Sequence, residues 1–370
     1  MSVELAANIG PSIPHVFASQ GIALWNREAP LFAMASKERG VSNAVYWSVS
    51  NSGAGPASGN VYVGEAEVVN TTNEFNVDDV TALTLNRAIV RNGFAISHTE
   101  LAQVASLKGD IAADITIERL RKAWLNNLAA VARIVELQLL IGTGTAVSNS
   151  TAAGCQGLVG LLSVFFPVGG AYAGKTVSGY AGLQPVVQSE GGATLTQHML
   201  DLVIAQMQEN AGSFKPDFIM CNPKTAVQIK AIGDTYVRLN SQGDGSQKLP
   251  WHLGLRDVPT PDAPVVQYNG IPVVQNSAWT STYDGYIVIG RMEDIVIDFL
   301  PYQNWEDTIR EEDKGGLEGF GGLLNKVGLP FFTWPYAKTA SFVAFVQECE
   351  FQVKFLRPNF MGLIYDIAVT

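Results

Sequence analysis

From Val41 to Gly64 the sequence contains no Asp, Glu, Lys, Arg or His. Two alternating runs, Asn43–Ser50 (NAVYWSVS) and Asn60–Ala66 (NVYVGEA), flank a breaker stretch from Gly53 to Gly59. Period-two alternation on either side of a Gly/Pro loop predicts a β-hairpin. Exposed strand edges are ordinarily guarded by charge, proline or bulges, and a two-stranded ribbon alone is marginal in water. A neutral ribbon bearing Val45, Trp47, Val49, Val61, Tyr62 and Val63 therefore needs a cover. Either it packs on its own domain or another subunit lies against it. The sequence favours the second reading and nominates these six residues as inter-subunit contacts.

Composition points the same way. Charged residues make up 16% of the 370, against roughly 25% in ordinary globular chains. Interface cores are depleted in charge, so part of the surface is expected to be shared between subunits. Apolar residues at 47% exclude disorder as the dominant state. The 24 Lys plus Arg against 34 Asp plus Glu leave a net charge of −10, which argues against a basic grip on nucleic acid. The length corresponds to about two to three domains. Three scattered cysteines (Cys155, Cys221, Cys349) with no CxxC suggest neither a disulfide framework nor a thiolate metal site. The start of the chain shows no basic segment followed by an apolar core, so no signal peptide is expected.

Residues 1–36 mix apolar anchors (Phe17, Trp25, Phe32) with Pro11, Pro14 and Pro30 and show no sustained period, which reads as an extended arm. After the hairpin, a β-like run from Val80 to Ile96 ends at Ser97-His-Thr-Glu100, a capping box for a short helix to about Ser106. A long helix follows from about Asp110 to Ile141. Its stripe is Ile117, Leu120, Trp124, Leu128, Val131, Val135 and Leu139, with Arg121, Asn126, Arg133 and Glu136 off it. At 1.5 Å per residue it runs about 45–50 Å, and Gly142 and Gly144 end it.

Alternating helix and strand patterns come next. A capping box at Thr194–Gln197 opens a helix to about Asn210, with Leu195, Met199, Leu202, Val203 and Met207 on its apolar side. A strand at Asp217–Cys221 precedes a helix with Asn222 as N-cap and Pro223 at its first position, ending at Gly233. Strands are expected at Ile271–Gln275, Tyr286–Ile289, Ile295–Leu300 and Ser341–Leu356. Glu311 to Gly322 reads as a Gly-rich charged loop.

Chemical motifs are weak throughout. Gly169-x-x-x-x-Gly174-Lys175-Thr176 has phosphate-loop spacing, but that mechanism needs a helix starting at Lys175, and Gly179, Gly182 and Pro185 follow instead. The adjacent Ser97 and His98 lack a nucleophile elbow. The four histidines (His15, His98, His198, His252) have no metal-binding spacing. The uncharged stretch between Glu136 and Lys175 is broken by Gly157, Gly160, Pro167, Gly169 and Gly170, so no membrane span is expected there. No enzyme activity, metal or cofactor is expected.

The order of elements carries the resemblance. An arm, a long uncharged hairpin, a strand ending in S-x-x-E-L (Ser97 to Leu101), a long helix closing on LIGTGT (Leu140 to Thr145), and an α/β region containing KPDFIMCNPKTAVQIKAIGD and YNGIPVVQNSAW resemble a tailed-bacteriophage major capsid protein of the Hong Kong 97-like fold. The resemblance implies an α+β chain with an N-terminal arm (1–36) and an extended E-loop hairpin (37–77). It further implies a P-domain with the spine helix (78–145), an α/β A-domain (146–290), and C-terminal strands (291–370) returning to the P-domain. It implies hexamers and pentamers that form an icosahedral shell in the virion, enclosing double-stranded DNA without binding it specifically. Portal, scaffolding and decoration proteins are the implied partners, and the host bacterial cytoplasm the implied place of synthesis. Some relatives crosslink an E-loop lysine, but no lysine occurs between Lys37 and Lys108, so a non-covalent shell is expected. Encapsulins, which share the architecture and enclose cargo enzymes, are the alternative; a P-loop NTPase is a remote one.

Overall fold

The computed structural model describes residues 24, 27–40, 44–50, 80–97, 99, 110–144, 157–211, 215–237, 267–300, 332–338 and 342–369. Its first elements are helix α1 (Pro30–Met34) and strands β1 (Ser36–Arg39), β2 (Ala44–Ser50), β3 (Val80–Asn86) and β4 (Ala88–Ser97). The long helix α2 (Asp110–Ile141) is followed by α3 (Leu161–Phe165) and a small hairpin of β5 (Ala171–Tyr172) and β6 (Lys175–Thr176). Then come β7 (Val186–Thr194), α4 (Gln197–Ala211), β8 (Phe218–Cys221), α5 (Pro223–Val237), β9 (Gln267–Tyr268) and β10 (Ile271–Gln275). The chain closes with β11 (Ile287–Gly290), β12 (Ile295–Phe299), β13 (Phe332–Lys338), β14 (Phe342–Phe355) and β15 (Gly362–Ala368).

Helix α2 has the expected bounds, and its stripe does what an apolar stripe must. Trp124, Leu128, Val131, Val135 and Leu139 are buried against Phe351, Val353 and Phe355 of β14 and Ile295 and Ile297 of β12. Each such side chain contributes about 1.5–3 kcal/mol by leaving water. Ile117 and Leu120 lie on the same helix, with side chains outside the described set. The segment Lys122–Ile141 is long and apolar enough to cross a bilayer by composition; packing on this sheet accounts for that apolarity. The helix stops where backbone crowding demands glycine, since a Cβ on Gly142 would sit 2.2 Å from the Leu158 carbonyl oxygen.

The sheet beneath α2 is organised by β14. Strand β4 runs antiparallel along one edge of it, while β13 and β12 share the other. β1 adds in parallel to β12. A second, six-stranded sheet has the order β7-β15-β11-β8-β10-β9. Its strands β8 and β11 (FIMC and IVIG) are buried along their whole length, as strands covered on both faces should be. On one face Ile219, Cys221, Ile287, Ile289 and Ile364 meet Leu200, Val203 and Met207 of α4 and Ile229 of α5. On the other, Phe218, Met220, Val288 and Leu363 join the core under α2, so the two sheets share one apolar interior.

Several expectations change in contact with these pairings. The antiparallel partner of β2 is β3, from Ala44 opposite Asn86 to Ser50 opposite Val80; Asn60–Ala66 lies outside the described residues. The run from Val80 to Ile96 is two strands, split at Arg87. The last strand does not follow β12 and β14 into the first sheet: β15 sits between β7 and β11 in the second. A short apolar strand fits either sheet by pattern, and only pairing decides. The end of the arm is a helical turn, not extended chain, because its amides find a distant acceptor described below. Thr196, not Thr194, caps α4, its hydroxyl accepting from Met199 N at 3.4 Å. Leu195, Leu200, Val203 and Met207 are buried and Met199 packs against them, while Leu202 is 37% exposed. Asn222 caps α5 as expected, accepting from Thr225 N at 2.9 Å, but the helix passes Gly233 to Val237.

Candidate functional site

Two buried polar networks hold the described end of the ribbon of β2 and β3 and the helical turn α1. At the ribbon root the chain turns from β3 into β4 at Arg87, whose side chain is 2% exposed. Its Nη2 donates to Asp298 Oδ1 on β12. The other Asp298 oxygen is 3.6 Å from Lys354 Nζ on β14, and Lys354 in turn donates to Glu38 on β1. The four charges alternate in sign across three strands. Gly40 lies close beside them, and a Cβ there would push the Arg87 guanidinium and the Asp298 carboxylate aside.

Gln352 of β14 completes the root. Its Nε2 donates to Asn86 O at 2.9 Å and Gly157 O at 3.2 Å, and its Oε1 accepts from Val159 N at 3.0 Å. One side chain thus ties the last residue of the ribbon to the loop after α2. Trp47 on β2 donates its indole N–H to Phe355 O at 3.1 Å and stands edge-on to Tyr172 of β5.

At the arm root, Glu136 of α2 is fully buried. Its Oε1 accepts from Leu31 N at 2.6 Å and from Asn276 Nδ2, and its Oε2 accepts from Phe32 N at 3.1 Å. These are the orphan amides of the first turn of α1, which Pro30 opens. Asn276 follows β10, so one carboxyl joins the arm, the long helix and the second sheet. Burial pushes the Glu136 carboxyl up to about 7, against the pull of its three donors. Nearby, Glu28 takes Arg27 through Oε1 and Arg133 through Oε2. Burial of Glu28 would raise its pKa, but the two guanidiniums win and hold it below the ordinary value.

The nominated residues sort unevenly. Val45 and Val49 are 1% and 3% exposed inside the chain's own packing, and Trp47 is engaged with Phe355 and Tyr172. Val45 and Val49 are therefore closed off within the chain, while Trp47 is half-buried. On β2 the outward-facing residues are Tyr46, 66% exposed, and Ser48. Val61, Tyr62 and Val63 lie outside the described residues. Trp124, Leu128, Val131 and Val135 are core, as expected of the long helix. Glu136, Arg87 and Gln352 were not singled out as site residues by sequence.

Among the described residues no group of three or more His, Cys, Asp or Glu could hold a metal ion. Lys175 and Thr176 form β6 of a two-residue hairpin instead of starting a helix, so the phosphate-loop reading fails for the reason its spacing suggested. Cys221 and Cys349 are buried free thiols. What the networks do is mechanical: they tie β3, β4, β12 and β14 together at Arg87 and Gln352, and α1 to the long helix at Glu136.

Residues 19–249 match the family model described as SU10 major capsid protein. The chain belongs to that family. None of the curated proteins compared with it matches. Among solved structures, this capsid protein is similar to the cyanophage A-1(L) capsid asymmetric unit, with a TM-score of 0.58, 14% identity, and coverage of 92% of this chain and 93% of that one. It is also similar to the capsid of an empty GTA particle, with a TM-score of 0.50, 15% identity, and coverage of 92% and 90%. An encapsulin complex from Synechococcus elongatus aligns at a TM-score of 0.49 and 10% identity over 93% of this chain and 89% of that one, too distant to bear on function. The fold is that of Hong Kong 97-like capsid proteins, and the role of the protein is structural, as the assembling subunit of a virion capsid.

Proposed function

We propose that the protein tiles an icosahedral shell of hexamers and pentamers around the double-stranded DNA of a tailed bacteriophage, held by non-covalent overlap of its ribbon with neighbouring subunits. In this reading 1–36 is the arm, 37–77 the E-loop, 78–145 with β12 to β14 the P-domain, and 146–290 with β15 the A-domain. Synthesis in the bacterial cytoplasm, and portal, scaffolding or decoration partners, belong to the same proposal. The observation that carries it is the outer face of the ribbon. Tyr46, Ser48, Val80, Ala82, Thr84 and Asn86 all point outward and all are exposed, and none is charged. A monomer leaving such a ribbon face uncovered would invite aggregation; a neighbouring subunit removes the hazard and gains the burial.

Tyr46→Asp tests this. The variant is expected to keep its fold, with thermal unfolding within about 2 °C of the parent, because an outward residue has little to lose. Electron microscopy should then show capsomers or monomers in place of closed particles. Normal particles from Tyr46→Asp would refute the overlap.

The non-covalent part has its own check. Lys37, the lysine nearest the ribbon in sequence, has its ammonium on the carbonyl oxygens of Phe32, Ala33 and Ala35 at the end of α1. Boiled mature particles should therefore run on a denaturing gel as one band near 39.7 kDa, whereas a ladder of multiples would mean a crosslink.

A further inference from the structure

A groove of about 790 Å³ runs between the arm and the outer side of α2, lined by Leu24, Arg27 and Glu28 on one wall and by Leu125, Asn126, Ala129, Ala130 and Arg133 on the other. Its floor is apolar and its rim is not. The Arg27 and Arg133 side chains are 71% and 63% exposed, yet both are held on the same Glu28 carboxylate, which is 5% exposed. Two cations thus share one buried anion, and the groove keeps a positive excess in a chain whose net charge is −10. Within 122–141 the only acid is Glu136, and it is buried. The outward positions Lys122, Asn126, Ala130, Arg133 and Ile134 are therefore basic, neutral or apolar.

We propose that this groove docks an amphipathic helix bearing carboxylates, supplied by a partner protein. The shape of the groove favours a helix. Leu125, Ala129 and Arg133 form one ridge at four-residue spacing, and Asn126, Ala130 and Ile134 form the next. The small side chains of Ala129 and Ala130 let a second helix approach closely between them. Ile134, 60% exposed just beyond the groove, extends the apolar track. The rim specifies acid, because the outer nitrogens of Arg133 have no partner among the described residues and a guanidinium takes a carboxylate in a paired, directional way. A phosphate backbone fits less well. Leu24, Leu125, Ala129 and Ala130 offer it no donors, and phosphate-tracking surfaces are rows of Lys and Arg. The inference does not depend on the shell geometry proposed above.

The test uses the full chain and a fluorescein-labelled, helix-forming 20-residue peptide carrying Leu and Glu at three- and four-residue spacing. A Leu/Lys version and a 20-nucleotide single-stranded DNA serve as comparisons. Fluorescence anisotropy should show the Leu/Glu peptide bound and the other two not, with affinity falling as salt rises. Ala130→Glu places an opposing charge on the groove, within reach of Arg133 three residues on, and should weaken binding roughly tenfold or more. Arg133→Glu should weaken it further, with circular dichroism to confirm that the arm still folds. No binding of the Leu/Glu peptide, or binding indifferent to Ala130→Glu, overturns the proposal. Arginine-dependent binding of the DNA would instead assign the groove to nucleic acid. A change of oligomeric state in Ala130→Glu, seen by sedimentation without added peptide, would assign it to a second copy; either result also overturns the proposal.

Discussion

Arg87→Ala should cost about 3–5 kcal/mol of folding stability, the usual penalty for removing one partner of a buried pair. Asp298 is 6% exposed, and without the guanidinium its carboxylate would keep only the Lys354 ammonium at 3.6 Å. The cost comes from the stranded charge more than from the strength of the pair. Arg87 itself is poorly served, since its Nε and Nη1 are buried and have no partner among the described residues. A double replacement, Arg87→Met with Asp298→Leu, is therefore expected to recover most of the loss, because it removes the desolvation of both groups. Urea unfolding of the three variants measures this directly. If the single change costs less than about 1 kcal/mol, the network is not what fixes the ribbon root, and the double replacement should then show no recovery. If the network sets direction as well as stability, the double variant should fold well and assemble poorly. Ribbon orientation and global stability would then part company in one protein.

Legibility differed sharply between local and non-local features. Helix α2 was readable because an apolar stripe repeats along its thirty-two residues and Gly142 ends it at a steric limit. Glu136 was misread on that same helix. Counting one row (Trp124, Leu128, Val131, Val135) leaves it off the stripe, whereas the neighbouring four-residue row of Leu128, Ala132, Glu136 and Leu140 runs straight through it, and all four are buried. A carboxyl in such a row was the available signal, and its partners, the amides of Leu31 and Phe32 more than a hundred residues earlier, were not. The ribbon failed in phase. In Val45-Tyr46-Trp47 both alternating sets are apolar and uncharged, so period two says strand without saying which face is inward. Pairing partners were similarly hidden. β2 finds β3 across thirty residues, and β15 chooses the second sheet through contacts that no local pattern encodes. Arg87 carried no mark at all, because an arginine in a β-rich run reads as an exposed side chain until Asp298 and Gly40 are brought to it.

Glu136 also predicts how the stability of the protein depends on pH. Its folded carboxyl titrates near 7 and its unfolded one near 4.5, so the folded state holds the proton more tightly. Below about pH 4.5 the group is neutral in both states and burying it carries no charge penalty. As pH rises toward 7 the unfolded chain ionises first, and stability falls, by about 3 kcal/mol once pH exceeds the folded value. Glu136→Gln isolates this effect from every other titrating group. The amide oxygen can still accept from Leu31 N and Asn276, but its NH2 faces the Phe32 amide, donor against donor, at a cost of about 1–3 kcal/mol that does not vary with pH. The variant should thus be less stable than the parent at pH 5, and the gap should close or reverse by pH 8. Urea midpoints at pH 5, 6, 7 and 8 would show it as two converging curves. Parallel curves would mean that Glu136 keeps its charge throughout, held by its three donors, and that the arm root is a permanent anionic cap for α1. Converging curves would mean that the joint between arm, long helix and second sheet weakens as pH rises through neutrality, which hydrogen exchange at Leu31 and Phe32 would then locate.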